Sequence, residues 1–427
     1  MIKAAFQWIR PSPKQEDILY WWCPSSPYKD LAYIALEGAI RSTKTITGSY
    51  SFVNWATFTF NQEDLALCGK TIGTCLRNVV RPLKKMLSIE PSYKVKEHRS
   101  NADGYHLEIT NTDIGHTNLF WVYGGKDESS QDLIQGKTLA GIFCDEVLLY
   151  PISFVNQALS RSSVKGSKHW FTFNPEAPTH EFYANILDPY VAEKKALLIH
   201  VTMDDNPSLD QETKDRISSQ WPVGSVWYRR NVLGERVAAE GAIYPFFTSD
   251  PKDGYVINEL PSDLAHWHVA IDYGQEHPCT IGLYGHSDSL NSWVLVQEYY
   301  ETMKTNQELS RAFGELLSGR FPEYVDIDTG GGGLSLLNQL RADYPEMYHA
   351  GIIRHAIKVN VNAEIAQFAS ALYTHRFRYY SQCKRSIKEI ANYVWAKKPS
   401  GSAKEEPLKI NDDGCDRDRY AWNRIIH

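Results

Sequence analysis

The sequence predicts an α/β protein of two domains, the first built on a mostly parallel sheet and the second on a mixed one. At 427 residues the chain is too long for one ordinary core, so two domains of about 200 residues each are the default. Up to Asp145, apolar strand-like runs alternate with helix-like stretches, as in a sheet whose strands run parallel. From Trp267, three apolar runs follow one another across short turns, as antiparallel strands do. The boundaries drawn are 1–235 for the first domain, 236–262 for a linker and 263–427 for the second domain.

Composition narrows the class. Hydrophobic residues at 43% and charged residues at 22% are those of a folded protein. No apolar run approaches the roughly 18 residues that a membrane-spanning helix needs. The N-terminus lacks a basic segment followed by an apolar one, which argues against secretion. Seven cysteines without CxxC spacing point to reduced thiols in a cytosolic compartment. A net charge of −6 does not advertise a nucleic-acid binder, yet local patches decide binding. Two basic stretches, Arg77 to Arg99 and Lys384 to Lys398, are such patches or plain solvated faces.

In chain order, Gln15 opens a helical stretch over Glu16 to Trp22 and is a candidate for bonding an adenine edge. The apolar run Leu31 to Leu36 then leads into Glu37-Gly38-Ala39-Ile40-Arg41-Ser42-Thr43-Lys44-Thr45. As a phosphate loop, this places backbone N–H groups around phosphate oxygens. Lys44 reaches the outer phosphates and the Thr45 hydroxyl reaches Mg²⁺. Thr43 stands where the usual pattern has glycine, and its Cβ disfavours positive φ. A small-residue turn of this kind also serves as punctuation between strand and helix. An acidic partner on a buried strand favours the phosphate reading, and Ala140 to Glu146 supplies one. Asp145 would complete the Mg²⁺ shell, and Glu146 would orient and polarise water.

Between these motifs the sequence predicts a helix from Lys44 to about Trp55 and a strand and helix around Leu65 to Leu87. Paired strands follow at Tyr105 to Ile109 and Asn118 to Tyr123. His169 to Pro175 is a further apolar strand that ends on Thr172 and Asn174, candidates for sensing the γ-phosphate; capping a turn is the alternative for Asn174. Arg161 is either a transition-state cation or one half of a surface ion pair. Thr202 to Pro207 is turn-rich, and Gln211 to Trp221 looks helical.

The second domain opens with the strand Trp267 to Gly274, followed by strands over Thr280 to Gly285 and Trp293 to Tyr300 and a helix over Asn306 to Leu317. Tyr324 to Asp328 then meets the glycine run Gly330 to Gly333, and a closing helix begins in the acidic cluster Asn411 to Tyr420. Asp272, Asp328 and Asp416 lie on three separate elements. Buried carboxylates repel one another, so such a set is stable mainly around divalent cations, as in a two-metal phosphodiesterase. Asp328 is preferred to Asp326 because it meets the glycine loop. Asp413 shares a helical face with Asp416, and Asp412 is expected to point elsewhere.

These motifs, in this order, resemble the large terminase subunit of tailed bacteriophages. The resemblance runs through Gln15, the Gly38 to Thr45 loop, Gln135-Gly136, Ile142 to Glu146, Thr172-Phe173-Asn174-Pro175, Asp204-Asp205-Asn206-Pro207, the Asp272 strand, Asp328 and the closing Asn411 to Tyr420 segment. It implies an N-terminal ASCE-type ATPase that moves duplex DNA into a procapsid, and an RNase H-like nuclease that cuts concatemeric DNA. ATP would be held by Gln15, Gly38, Arg41, Ser42, Thr43, Lys44, Thr45, Thr172 and Asn174, with Mg²⁺ on Thr45 and Asp145 and catalysis by Asp145 and Glu146. Two Mg²⁺ or Mn²⁺ ions would lie on Asp272, Asp328, Asp413 and Asp416, position 413 being an aspartate where the family often has histidine. Implied partners are viral duplex DNA, the portal protein, a small terminase subunit and further copies of the chain in a ring, in the host cytoplasm. The alternatives are a helicase-like or repair ATPase with a fused nuclease, and a non-catalytic docking protein whose loop Thr43 has disabled.

Overall fold

The computed structural model describes residues 9–100, 104–126, 130, 134, 136–396 and 405–427; Gln135 and the end of the Lys384 to Lys398 stretch lie outside them. The chain divides into two compact units, one of Met1–Ser218 with Val223–Ala238 and one of Ser219–Pro222 with Ala239–His427.

The first unit holds strands β1 (Tyr33–Gly38), β2 (Asp64–Gly69), β3 (Tyr93–Ser100), β4 (Gly104–Asn111), β5 (His116–Gly124), β6 (Gly141–Asp145), β7 (Lys168–Phe173) and β8 (Ala196–Val201). They form one sheet in the order β3-β4-β5-β2-β6-β7-β1-β8. β5, β2, β6, β7, β1 and β8 pair in parallel, and β3 and β4 extend the sheet antiparallel beyond β5. Alternation along each buried strand fills both faces. Leu36, Leu67, Phe143 and Trp170 pack beneath Phe52 and Trp55 of the helix α1 (Lys44–Thr59), while Ala35, Cys68, Ile142 and Phe171 meet Phe154, Phe182 and Tyr183 on the other side.

One strand, β7, separates the phosphate-loop strand β1 from the acidic strand β6. The register aligns Leu36 with Thr172 and Asp145 with Thr172, so loop, acid and sensor open on the same carboxyl edge. At Gly38, φ is 151° and an added Cβ would lie 1.8 Å from the Val201 carbonyl oxygen, so only glycine lets β1 turn against β8 there.

The second unit forms a sheet of β9 (Val256–Ile257), β10 (Ala265–Asp272), β11 (Cys279–Ser287), β12 (Ser292–Glu301), β13 (Tyr324–Ile327), β14 (Ile353–His355) and β15 (Phe377–Tyr380) in the order β14-β13-β10-β11-β12-β15-β9. β10, β11 and β12 are antiparallel neighbours, and the remaining strands join them in parallel. Val269, Ile271, Ile281 and Val325 bury one face against Phe313, Leu336 and Leu340. The closing helix, Asp413–Ile426, packs on β10, β11 and β13.

Candidate functional sites

The loop after β1 closes around the Lys44 ammonium, which donates to Gly38 O (3.0 Å), Ala39 O (2.5 Å), Ser42 Oγ (3.0 Å) and Asn174 Oδ1 (3.1 Å). Lys44 is only 7% exposed, and burial lowers its pKa to about 7 against the opposing pull of Asp145, Glu146 and Glu37. Next to it Thr45 Oγ1 donates to Asp145 Oδ1 at 2.6 Å, and Thr172 Oγ1 donates to the same oxygen at 2.7 Å. Burial raises the Asp145 pKa, opposed by these two hydrogen bonds and by the Lys44 charge. Glu146 follows in the left-handed region at φ 56°, its N–H donating to Thr172 Oγ1 at 3.3 Å. Its pKa is also raised, by burial first and then by the Asp145 charge.

Lys44 with Asn174, and Thr45 with Asp145, Glu146 and Thr172, thus form two neighbouring hydrogen-bonded groups. Gly38, Arg41, Ser42 and Thr43 line the loop, Arg41 and Thr43 in left-handed conformations at φ 57° and 67°. Thr43 therefore adopts the backbone that a glycine would take. Gln15 touches the loop rather than standing apart from it: its Nε2 donates to Thr43 Oγ1 at 2.7 Å. Arg161 ends the helix Ile152–Arg161, and its carbonyl accepts from Leu139 N, just ahead of β6. That is the amino edge of the sheet, opposite the carboxyl edge on which Asp145 and the Lys44 loop open.

Sequence reasoning missed the supports of the loop. Glu37, at the end of β1, pairs with Arg236 (Nε to Oε1, 2.5 Å), which also pairs with Asp188 at 2.9 Å. Asn206 Nδ2 donates to Arg41 O at 2.7 Å, so the Asp204 to Pro207 turn braces the loop directly.

In the second unit, Asp272 ends β10, and Asp328 follows β13 with its N–H bonded to Ile271 O at 2.9 Å. Asp413 and Asp416 occupy the first turn of the closing helix. Burial drives the Asp272 pKa well above the ordinary carboxylate range, and Asp416, Asp328 and Asp413 add to it in that order, so the four acids face one another. Burial first, and then the Asp412 charge, raise the Asp413 pKa, and His277, in the turn between β10 and β11, opposes them.

The charges are met by lysines. Lys358 Nζ lies 2.6 Å from Asp328 Oδ1, and Lys409 Nζ lies 2.6 Å from Asp416 Oδ2 and 2.9 Å from Asp412 Oδ2. One expectation changes accordingly. Asp412 does not point elsewhere but shares Lys409 with Asp416. Among the described residues, no three His, Cys, Asp or Glu side chains are gathered closely enough to hold an ion. Mutual repulsion favours carboxylates that stand apart, with Asp328 on Lys358 and Asp412 and Asp416 sharing Lys409. The donor set itself, carboxylate oxygens alone, fits hard divalent cations. Asp326 does not join the set; it is fully buried, bonded to His268 Nε2 at 2.9 Å and to Arg424 at 2.6 Å.

A nucleotide-type loop on a parallel sheet and a carboxylate cluster on a mixed sheet define an ATPase domain joined to an RNase H-like nuclease domain. Family comparison agrees. Residues 35–250 match the model of the terminase large subunit, T4likevirus-type, N-terminal, and residues 269–424 match the terminase RNaseH-like domain. The large terminase of a thermophilic bacteriophage is 39% identical over 98% of this chain and 100% of its own, with a TM-score of 0.88. The ADP complex of that same phage terminase (39%, 97% and 99% coverage, TM-score 0.85) and its ATP-gamma-S complex (38%, 96% and 98%, TM-score 0.83) are similar in the same way. Comparison with curated protein sequences finds no match. The chain belongs to the large terminase subunit family: it is a phage DNA-packaging ATPase with an RNase H-like nuclease domain. Among the described residues no helix is long and apolar enough to cross a membrane.

Proposed function

We propose that ATP binds on the Gly38 to Thr45 loop, with the Lys44 ammonium on its outer phosphates and Mg²⁺ between Thr45 and Asp145. The observation that carries this reading is the pair of hydrogen-bonded sets that flank the loop, Asn174 with Lys44 on one side and Thr172 with Asp145 and Thr45 on the other. Glu146 orients the attacking water and accepts its proton, a task suited to a carboxylate whose pKa is raised. When the γ-phosphate leaves, the Lys44 ammonium loses the anion it faced. Thr172 and Asn174 then re-form the bonds described above, which moves the end of β7.

In the nuclease domain Asp272, Asp328, Asp413 and Asp416 would hold two Mg²⁺ or Mn²⁺ ions. Such ions neutralise the scissile phosphate, lower the pKa of the attacking water and stabilise the leaving oxygen. Asp328 and Asp416, which pair with Lys358 and Lys409, would hold the ions together with Asp413 and Asp272, whose pKa is raised by burial and by these acids. The working assembly is a ring of these chains on the portal of a procapsid in the host cytoplasm, supplied with duplex DNA by a small terminase subunit.

Purified protein is expected to hydrolyse ATP and to cut plasmid in Mg²⁺ or Mn²⁺. Lys44→Ala should lower hydrolysis by about 10²-fold or more and leave cutting intact, and Asp272→Ala should do the reverse. Hydrolysis that survives in Lys44→Ala, or cutting that survives in Asp272→Ala, overturns the corresponding assignment.

A further inference from the structure

The Gln15 side chain is committed at both ends. Its Oε1 accepts from Ser12 N at 2.9 Å, which fixes the amide orientation and turns Nε2 toward Thr43 Oγ1 at 2.7 Å. The Thr43 hydroxyl donates in turn to Ser42 O at 2.6 Å and accepts a longer bond from Thr47 Oγ1 at 3.4 Å. Gln15 is 8% exposed, on a helix, Pro13–Tyr20, whose start is itself anchored: Ser12 Oγ donates to Asp205 O at 2.8 Å and Lys14 pairs with Asp205 at 3.0 Å. The next residue, Asn206, grips Arg41 O. A single turn, Asp204 to Pro207, therefore ties both the Gln15 helix and the loop to one frame.

Thr43 needs such a hold. A β-branched side chain at φ 67° is a genuine outlier that persists only where surrounding contacts over-determine it. The αL turn at Thr43 immediately precedes the N–H groups of Lys44 and Thr45, so a loop that relaxed to negative φ there would aim them away from a phosphate.

We infer that Gln15 is a positioning residue for the phosphates, acting through Thr43: its amide holds the Thr43 hydroxyl and with it the left-handed turn that shapes the loop. Gln15 and Thr43 thus replace, as a pair, the glycine common at this position. The inference rests on the reading of this loop as the nucleotide site, and it differs from a direct bond between Gln15 and the adenine edge.

A ligand without a base separates the two. Binding of ADP and of pyrophosphate, each with Mg²⁺, is measured by calorimetry on the full chain and on Gln15→Ala, Thr43→Gly, Thr43→Ser, the Gln15→Ala/Thr43→Gly double variant and Lys44→Ala. Loss of one hydrogen bond that holds a strained turn predicts a drop of about 5- to 10-fold in Gln15→Ala, equal for ADP and pyrophosphate. Thr43→Ser keeps the hydroxyl and should bind as the parent does. In Thr43→Gly, where no strain remains to be held, removing Gln15 should change affinity by less than about twofold. Hydrogen exchange at the amides of residues 41–45 should quicken in Gln15→Ala, a readout independent of ligand. The inference is overturned if Gln15→Ala weakens ADP but not pyrophosphate, or if its effect is undiminished in Thr43→Gly. Should Lys44→Ala leave both ligands bound as tightly as before, the nucleotide-site reading itself fails; should Lys44→Ala release them while Gln15→Ala has no effect, the positioning role alone fails.

Discussion

Lys44 is an ammonium enclosed by oxygens that carry no full charge: two loop carbonyls, a serine hydroxyl and an amide. Burial brings its pKa down to about 7, and incoming phosphate oxygens would raise it again. Between the free and bound values, binding must take up a proton, so nucleotide affinity should fall as pH rises above about 7, steepening toward tenfold per unit. Calorimetry at pH 8 in two buffers of different ionisation enthalpy should report uptake of close to one proton. Zero uptake would mean that Lys44 is already charged in the free protein. The residues at this site were legible from type and spacing, since Lys44 with Thr45 and Asp145 with Glu146 are pairs local in sequence. Gln15 with Thr43, Glu37 with Arg236, and the lysines that face Asp328 and Asp416 were not. Gln15 lies 28 residues from Thr43 and Glu37 lies 199 from Arg236, and local pattern contains no signal for such approach.

The closing helix, Asp413–Ile426, carries two acids of the nuclease set at its start and is pinned to the sheet near its end. Arg424 reaches the fully buried Asp326 of β13 with its Nη2 at 2.6 Å and its Nε at 3.0 Å, and His268 of β10 bonds the same carboxylate. Helix, β10 and β13 thereby share one charged joint, which no single segment reveals. Arg424→Ala would leave Asp326 without its cation in a site closed to water, a loss of about 3–5 kcal/mol. The thermal transition of the nuclease domain should drop accordingly while ATP hydrolysis stays near the parent rate, and an unchanged transition would show that the joint is dispensable. Elements with long apolar alternation, β10 to β12 and β1, β6 and β7 among them, were legible from sequence, with ends shifted by a few residues. β3 escaped because most of its residues are exposed and charged, as suits an edge strand. β9, β14 and β15 span only 2 to 4 residues and are too short to show a period.

With a formal net charge of −6, the whole chain repels the duplex it packages at long range, so DNA contact must rest on local patches and on cations brought by solution. The acids of the nuclease domain add to that repulsion locally: after burial, Asp416, Asp328 and Asp413 push the Asp272 pKa up. On the proposed reading, divalent ions there would remove negative charge where a phosphodiester sits, and would free Lys358 and Lys409, now paired with Asp328 and Asp416, to face the DNA backbone. Ca²⁺, which takes oxygen ligands yet differs from Mg²⁺ in size and geometry, allows binding to be read with cutting suppressed. Duplex affinity, measured by fluorescence anisotropy at constant ionic strength, should rise roughly tenfold from EDTA to Ca²⁺ and fall with added salt at a slope set by phosphate contacts. In Asp272→Asn/Asp328→Asn the Ca²⁺ increment should shrink toward nothing, and in Lys358→Ala/Lys409→Ala the Ca²⁺-bound form should lose affinity while the EDTA form changes little. Equal affinity with and without Ca²⁺ in the parent chain would show that the carboxylates do not govern DNA approach, and that the cations of this protein act on DNA independently of its acids.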